Sequence, residues 1–304
     1  MEYKYIPAIV GPTASGKSDI ALKLCQMTGG ELVSCDSMQI YRGLDIGTAK
    51  PTVEEQKLVR HHMIDIVDPD TSYSVSDYYR DASVAIRDIL SRGKLPVICG
   101  GTGQYITALV KGMKFESTDV DKAIIDDLYN RFENEGIDGI YDELQKVDPE
   151  AADKIHPNNT RRVIRAYAVY LQYGKTFTEK GREAVSSGGE FPIKLFQPDW
   201  DRSILYDRIN LRVDKMIESG LVDEAKWLLD NYPNYSTAYQ AIGYKELFPY
   251  IKGEISLEKA IYDLKLNTRH YAKRQLTWFR YMQDVYMISP ENNKLLSEIE
   301  HCVK

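Results

Sequence analysis

The stretch that decides the fold is Gly11-Pro-Thr-Ala-Ser-Gly-Lys-Ser18, which follows an apolar run beginning at Pro7. It matches the pattern GxxxxGK[ST]. Its glycines let the backbone curl so that several N–H groups face one phosphate cluster, at the positive end of the helix that follows. Lys17 adds a point charge, and the Ser18 hydroxyl suits a magnesium ligand. A phosphorylated ligand is therefore expected along Gly11, Pro12, Thr13, Ala14, Ser15, Gly16, Lys17 and Ser18. Nucleotide hydrolases, kinases and transfers that release pyrophosphate all use such a loop, so the motif does not name the reaction.

Outward from this loop, short apolar runs alternate with helical patterns. Pro7–Gly11, Glu31–Cys35, His62–Ile66 and Leu95–Cys99 read as strands, and Asp19–Thr28, Val75–Ser91 and Gly103–Lys111 as helices. Ser74 with Asp77 makes a capping box for the second helix. Short strands bounded by turn residues predict a parallel sheet buried on both faces, a doubly wound α/β fold that binds ligands at the carboxyl ends of its strands. Past Met113 the strand signal stops. Residues 113–156 are acidic and helical, Asn159–Tyr173 is another helix, and the loop SSGGEFP leads to one more strand at Ile193–Gln197. A strand returning after a helical excursion predicts an insertion. The expected division is a core of 1–112 and 157–304 with a helical subdomain at 113–156, extending at most to about 190. From Arg202 the chain reads as helical almost to its end.

The composition restricts the classes further. Of the 304 residues, 28% are charged and 43% hydrophobic, which excludes wholesale disorder. No run approaches the ~18 apolar residues of a membrane span. The cysteines Cys25, Cys35, Cys99 and Cys302 are scattered without a CxxC pair, so a reducing, cytoplasmic setting is expected. The net charge of −6 disfavours a surface that is basic throughout but leaves room for a local basic stripe. Tyrosine is abundant, at 22 against 7 phenylalanines, and suits both half-buried packing and enclosure of a partly polar ligand.

Several other residues are candidates for chemistry. Asp36, just past the second strand, either faces the phosphate loop as a metal ligand or proton acceptor, or caps a helix with Ser37. Gly100-Gly-Thr-Gly103 is either a ligand loop or a packing turn. His61 and His62 point to opposite faces and read as structural, and Asp65 and Asp68 have ordinary turn explanations. Arg161 with Arg165, and Arg208 with Arg212, are spaced to share a helix face, as exposed ion-pair formers or as a phosphate clamp. Lys265, Arg269, Lys273, Arg274 and Arg280 form a basic stripe interleaved with Tyr271, Trp278, Phe279 and Tyr281, which is either a solvated face or a nucleic-acid contact. Nearby, the Gln240 amide can read an adenine edge.

In order along the chain, GPTASGKS, DSMQIYRGLDIGTAKP, HHMIDIVDP, GGTGQY, HPNNTRRVIRA, QAIGYKE and NTRHYAKRQLTWFR closely resemble the bacterial tRNA dimethylallyltransferases. The resemblance covers nearly the whole chain. It implies a core like that of the phosphate-loop NTPases, with a parallel sheet flanked by helices and an inserted helical subdomain. The implied reaction moves a dimethylallyl group from its diphosphate to N6 of adenosine-37 in a tRNA anticodon stem-loop. Magnesium is the implied cofactor, and the protein is expected to act as a monomer away from membranes. The loop would then hold the donor's diphosphate through Thr13, Lys17 and Ser18, with Arg212 and Arg208 clamping the leaving group. Asp36 matches the general base and Thr102 a residue supporting the reacting centre. RNA contacts would come from Asp36, Ser37, Met38 and Gln39; from Arg161, Arg162 and Arg165; from Gln240, Gly243, Tyr244 and Lys245; and from Lys273, Arg274, Trp278 and Arg280.

Gln104 departs from the apolar residue many relatives carry there, and no cysteine–histidine zinc module follows Arg280 as it does in eukaryotic relatives. Two other classes share part of the pattern. A small-molecule kinase needs the loop but leaves the basic aromatic helix unexplained, and a non-catalytic RNA binder has no use for Asp36 beside a complete phosphate loop.

Overall fold

The computed structural model describes residues 3–112, 120–184, 188–233, 237–292 and 294–304. The expected start of the insertion, 113–119, and Ser186 and Ser187 of the SSGGEFP loop lie outside the described residues. The chain divides into two compact units, Met1–Val110 with Glu190–Lys304, and Lys111–Gly189.

The first unit is built on strands β1 (Ile6–Val10), β2 (Glu31–Ser34), β3 (His61–His62), β4 (Pro96–Gly100), β5 (Ile193–Pro198) and β6 (Val285–Ile288). They form one sheet in the order β3-β2-β4-β1-β5-β6, every pairing parallel, as the alternation of strands and helices predicts. Successive side chains feed opposite faces. Ile6, Ala8 and Val10 of β1 join one core while Ile9 joins the other, and Ile98 of β4 is likewise separated from Val97 and Cys99. The two faces are covered by α1 (Lys17–Thr28), α3 (Val75–Ser91) and α4 (Gly103–Lys111), with the C-terminal helices described below, while α2 (Val53–Leu58) buries none of its residues. The Ser74–Asp77 capping box is present at α3.

Two expectations are corrected. The strand expected over His62–Ile66 is only His61–His62. Beyond it the backbone turns left-handed at Met63 (φ 64°) and Asp65 (φ 53°). The amides of Asp65 and Ile66 then bond the carbonyls of Gln39 and Ile40, not a sheet neighbour. The buried Lys50 fixes this turn, donating to the Tyr41 carbonyl at 2.8 Å, Asp45 at 2.6 Å and Asp65 at 2.5 Å. The tail is also less helical than expected: β6 pairs with β5 from Leu195 opposite Val285.

The Lys111–Gly189 unit comprises α5 (Lys122–Glu135), α6 (Asp138–Val147), α7 (Pro149–Lys154), α8 (Thr160–Tyr173) and α9 (Phe177–Ala184). Leu128, Ile140, Leu144, Val163 and Ile164 share one core, so α8 packs with α5 and α6. Buried Asp148 caps α7 through the Ala151 amide and also accepts from the Thr178 amide and hydroxyl, tying α7 to α9.

Returning to the first unit, α10 (Arg202–Glu218), α11 (Leu221–Asn231), α12 (Phe248–Ile251) and α13 (Leu257–Arg280) enclose a third core around Ile40, Tyr41, Leu44 and Tyr244. The last helix, α14 (Leu295–Val303), buries Leu295, Ile299 and Val303 on the α1 side of the sheet.

Candidate active site

At the carboxyl end of β1 the phosphate loop is shaped by left-handed backbone at Gly11 (φ 132°), Ala14 (φ 62°) and Gly16 (φ 84°). Gly16 sits at the N-cap of α1 and supplies no side-chain cap, so the first N–H groups of α1 stay available to an anion. Lys17 folds back to donate to the Pro12 carbonyl at 3.0 Å. On the outer side, Trp200 donates to the Ser15 carbonyl at 2.8 Å and Arg208 to the Ala14 carbonyl at 2.8 Å, with the guanidinium over the Trp200 ring. Arg208 therefore braces the loop's backbone and is not part of the cavity wall.

A cavity of about 570 Å³ spans the carboxyl ends of β1, β2 and β4. Thr13, Lys17 and Ser18 line it from the loop, Asp36 and Ser37 from the end of β2, Arg212 from α10, and Tyr271, Arg274 and Gln275 from α13. Its lining cations are Lys17, Lys245, Arg212 and Arg274, with Lys50 already paired to Asp45 and Asp65, against the carboxylates Asp36 and Glu55. In a chain of net charge −6 this concentrates positive potential in one concavity, the condition for capturing an anion. Burial holds the Lys17 ammonium below an ordinary lysine's range; the Arg212 charge pushes the same way and Asp36 opposes it. Burial lowers Arg212 too, again opposed by Asp36.

Asp36 accepts from the Met38 amide at 2.9 Å, so its carboxylate is held by its own turn while a second oxygen stays free of that bond. Thr102 accepts from the Ser37 amide at 3.0 Å and donates to the Ser37 hydroxyl at 3.3 Å. It does not line the cavity but fixes the residue beside Asp36. Tyr271 faces the same group. Burial and then the Asp36 charge push its phenol well above the ordinary tyrosine range, while a hydrogen bond with Thr102 opposes the shift.

The GGTG turn makes three close approaches, one at Gly100, where a Cβ would lie 2.0 Å from the Cys35 carbonyl oxygen, and two to α13. A Cβ on Gly101 would lie 2.1 Å from the Gln275 amide nitrogen, and one on Gly103 would lie 2.4 Å from the Trp278 ring. The turn thus packs against a helix, and it holds Thr102 against Ser37. His61 and His62 make separate contacts, His61 with the Val59 carbonyl at 2.8 Å and His62 with buried Glu31 at 2.7 Å. Arg92 and Lys94 also bind Glu31, and the Arg92 hydrogen bond holds that carboxyl far below the usual range.

The residues expected to meet RNA divide into several groups. Ser37, Met38, Gln39, Gln240, Gly243, Lys245 and Arg274 line the cavity. Gln39 is committed internally: its oxygen accepts from Ser34, and its nitrogen donates to the Thr48 and Ala49 carbonyls. Lys273, Arg274, Trp278 and Arg280 are exposed on α13, and Arg161 and Arg162 are exposed on α8 of the other unit, where Arg165 is half-buried. Tyr244 corrects the expectation. It is 0% exposed, its ring lies against Gly47, and its hydroxyl donates to Glu224 at 2.6 Å, so no surface remains for RNA.

Two residues of the site have no local sequence signal. Gln275 lies inside the basic stripe, yet it turns inward to the phosphate loop. Glu224 accepts from the amides of Asp45, Ile46 and Gly47 at 2.8–2.9 Å, anchoring the segment that becomes the cavity wall at Gly47–Lys50. Contacts this distant in sequence leave no periodic trace.

A parallel sheet whose first strand runs into this loop, with a cation-lined cavity at the strand ends, defines an α/β protein of the phosphate-loop class. The chain belongs to the IPP transferase family, whose model matches residues 39–282. It is 44% identical to a tRNA dimethylallyltransferase of Halalkalibacterium halodurans over 97% of this chain and 95% of that one. It is 48% identical to one from a Thermoanaerobacter species over 90% and 88% of the two chains. Among solved structures, the tRNA isopentenylpyrophosphate transferase of Bacillus halodurans superposes with a TM-score of 0.73 at 42% identity, covering 99% of this chain and 95% of that one. A eukaryotic dimethylallyltransferase captured acting on tRNA superposes with a TM-score of 0.81 at 33% identity, covering 94% of this chain and 74% of that one. Among the described residues, no helix is long and apolar enough to cross a membrane.

Proposed function

We propose that this protein is a tRNA dimethylallyltransferase that alkylates N6 of adenosine-37, beside the anticodon, with dimethylallyl diphosphate as donor. The observation that carries this reading is one cavity joining the phosphate loop and Arg212 to a carboxylate, Asp36, at the foot of the exposed basic face of α13.

The donor's diphosphate binds Thr13, Lys17, Ser18 and the first amides of α1, and Arg212 closes on it from α10. As the allylic C–O bond breaks, negative charge grows on the pyrophosphate, and Lys17 and Arg212 are already positioned against it. The adenine amino group is a weak nucleophile until its bond to carbon forms. Its proton then becomes acidic, and Asp36 accepts it. Thr102, through Ser37, keeps that carboxylate aimed. A loop adenine is cheaply unstacked, and the exposed cations and Trp278 of α13 receive the RNA that presents it.

Magnesium fits this donor set. Ser18 lines the cavity beside Lys17, and among the described residues no cluster of three or more His, Cys, Asp or Glu is placed to hold a metal alone. The diphosphate oxygens would complete such a site. When bound, the ion neutralises charge on the leaving pyrophosphate.

The test incubates the protein with magnesium, radiolabelled dimethylallyl diphosphate and unmodified tRNA carrying adenine at position 37. Label should enter the RNA and be absent when guanine replaces that adenine. Label-free RNA, with ATP consumed on a small acceptor instead, would overturn the reading in favour of a kinase.

A further inference from the structure

We propose that Gln275 is a positioning residue for the donor site, holding the phosphate loop and the GGTG turn together from the RNA-facing helix. The inference rests on the transferase reading above. Its carboxamide oxygen accepts from the Thr13 amide at 2.9 Å, and its nitrogen donates to the Gly101 carbonyl at 2.9 Å. One side chain thus bonds two loops at the ends of β1 and β4, across sequence separations of 262 and 174 residues. It is 5% exposed, so water cannot replace both bonds without rearrangement. Gly101 must lack a Cβ for the amide to reach its carbonyl.

The choice of side chain follows from this geometry. One loop presents a donor, the other an acceptor, and a carboxamide answers both with a single neutral group. A carboxylate has no proton for the Gly101 carbonyl, and an ammonium cannot accept from Thr13. The bond to Thr13 sets the loop's backbone one residue past Pro12, whose carbonyl holds Lys17. Gln275 thereby fixes where Thr13 and Lys17 stand, from the cavity wall it shares with them. It also sits one residue from the exposed Arg274 and three from Trp278, so the helix proposed to meet RNA carries the loop's brace on its inner face.

The discriminating variant is Gln275→Met, with Gln275→Leu beside it. Methionine fills nearly the same volume but offers no N–H donor and only a weak acceptor. Equilibrium binding of dimethylallyl diphosphate with magnesium, binding of tRNA, and Tm are measured for both variants and the wild type. Donor affinity should fall about tenfold in both variants, because loops released at Thr13 and Gly101 must be ordered again as the donor binds. Tm should fall modestly, because the Thr13 amide and the Gly101 carbonyl lose their buried partner, while tRNA affinity should stay near wild type. If the Met variant binds donor within twofold of wild type, Gln275 only packs α13 and the proposal fails. A parallel fall in Tm and in both affinities would assign it a general structural role and equally overturn it. Wild type failing to bind the donor would instead overturn the transferase reading itself.

Discussion

Replacing Asp36 by Asn separates charge from shape at the centre of the site. The asparagine oxygen can still accept from the Met38 amide, which now bonds Asp36 at 2.9 Å, and the Thr102–Ser37 contacts do not involve the changed group. The cost to stability should stay below about 1 kcal/mol, since no hydrogen bond is removed. Loss of a general base lowers the rate by roughly 100- to 10,000-fold, which is about 2.7–5.5 kcal/mol on the barrier. Donor binding should move the other way. Asp36 is itself an anion in the diphosphate's cavity, so at a pH where Lys17 keeps its proton its neutralisation should leave donor affinity unchanged or tighter. Single-turnover transfer to tRNA, with separate titrations of donor and RNA, reads all three quantities. A rate loss under tenfold, or donor and tRNA affinities falling in step with the rate, would refute the assignment.

Three further outcomes follow from the same geometry. Because burial lowers the Lys17 pKa, the loop lysine should lose its proton at a lower pH than an ordinary lysine, and donor affinity should decline as pH rises through that lowered value. By linkage, the unliganded fold gains stability over the same interval, since the unfolded chain then binds more protons than the native one; a donor affinity flat to pH 10 would count against Lys17 as a ligand. Glu224→Ala strips three amides and the Tyr244 hydroxyl of their acceptor and should cost roughly 3 kcal/mol, seen as a lowered Tm together with weaker transfer, and an unchanged Tm would remove Glu224 as the anchor of the cavity wall. Arg274→Ala should weaken tRNA binding and make its salt dependence shallower by about one unit of log–log slope, whereas an unaltered slope would leave Arg274 without a phosphate contact.

The parts of this molecule legible in its sequence are those whose physics is local. Val75–Ser91 and Gly103–Lys111 are helices over the expected residues because apolar periodicity and caps act within a few turns. The phosphate loop could be read because its backbone demands glycine at fixed offsets from Lys17. Strand β6 escaped because Val285–Ile288 is four residues long, has two exposed members, and gains its strand identity only from pairing with β5. The His62–Ile66 run failed as a strand for a related reason: Lys50, from outside the run, captures Asp65 and bends the backbone.

The GGTG turn shows most clearly why a site outruns its motif. Small residues report only that something approaches closely, and ligand and helix leave the same mark in the sequence. At Gly100 the approaching atoms are the Cys35 backbone, and at Gly101 and Gly103 they are the Gln275 amide and the Trp278 ring, side chains 174 and 175 residues away. The basic stripe on α13 has the same ambiguity. Its charges are legible as a face, but the inward glutamine among them reads as one more polar residue until Thr13 and Gly101 are found at its two ends. The helix therefore has two faces with separate tasks, cations toward solvent and Gln275 toward the loop, with the Trp278 ring packed on Gly103 between them. Substitutions on the outer face should change RNA affinity, and substitution at Gln275 should change donor affinity.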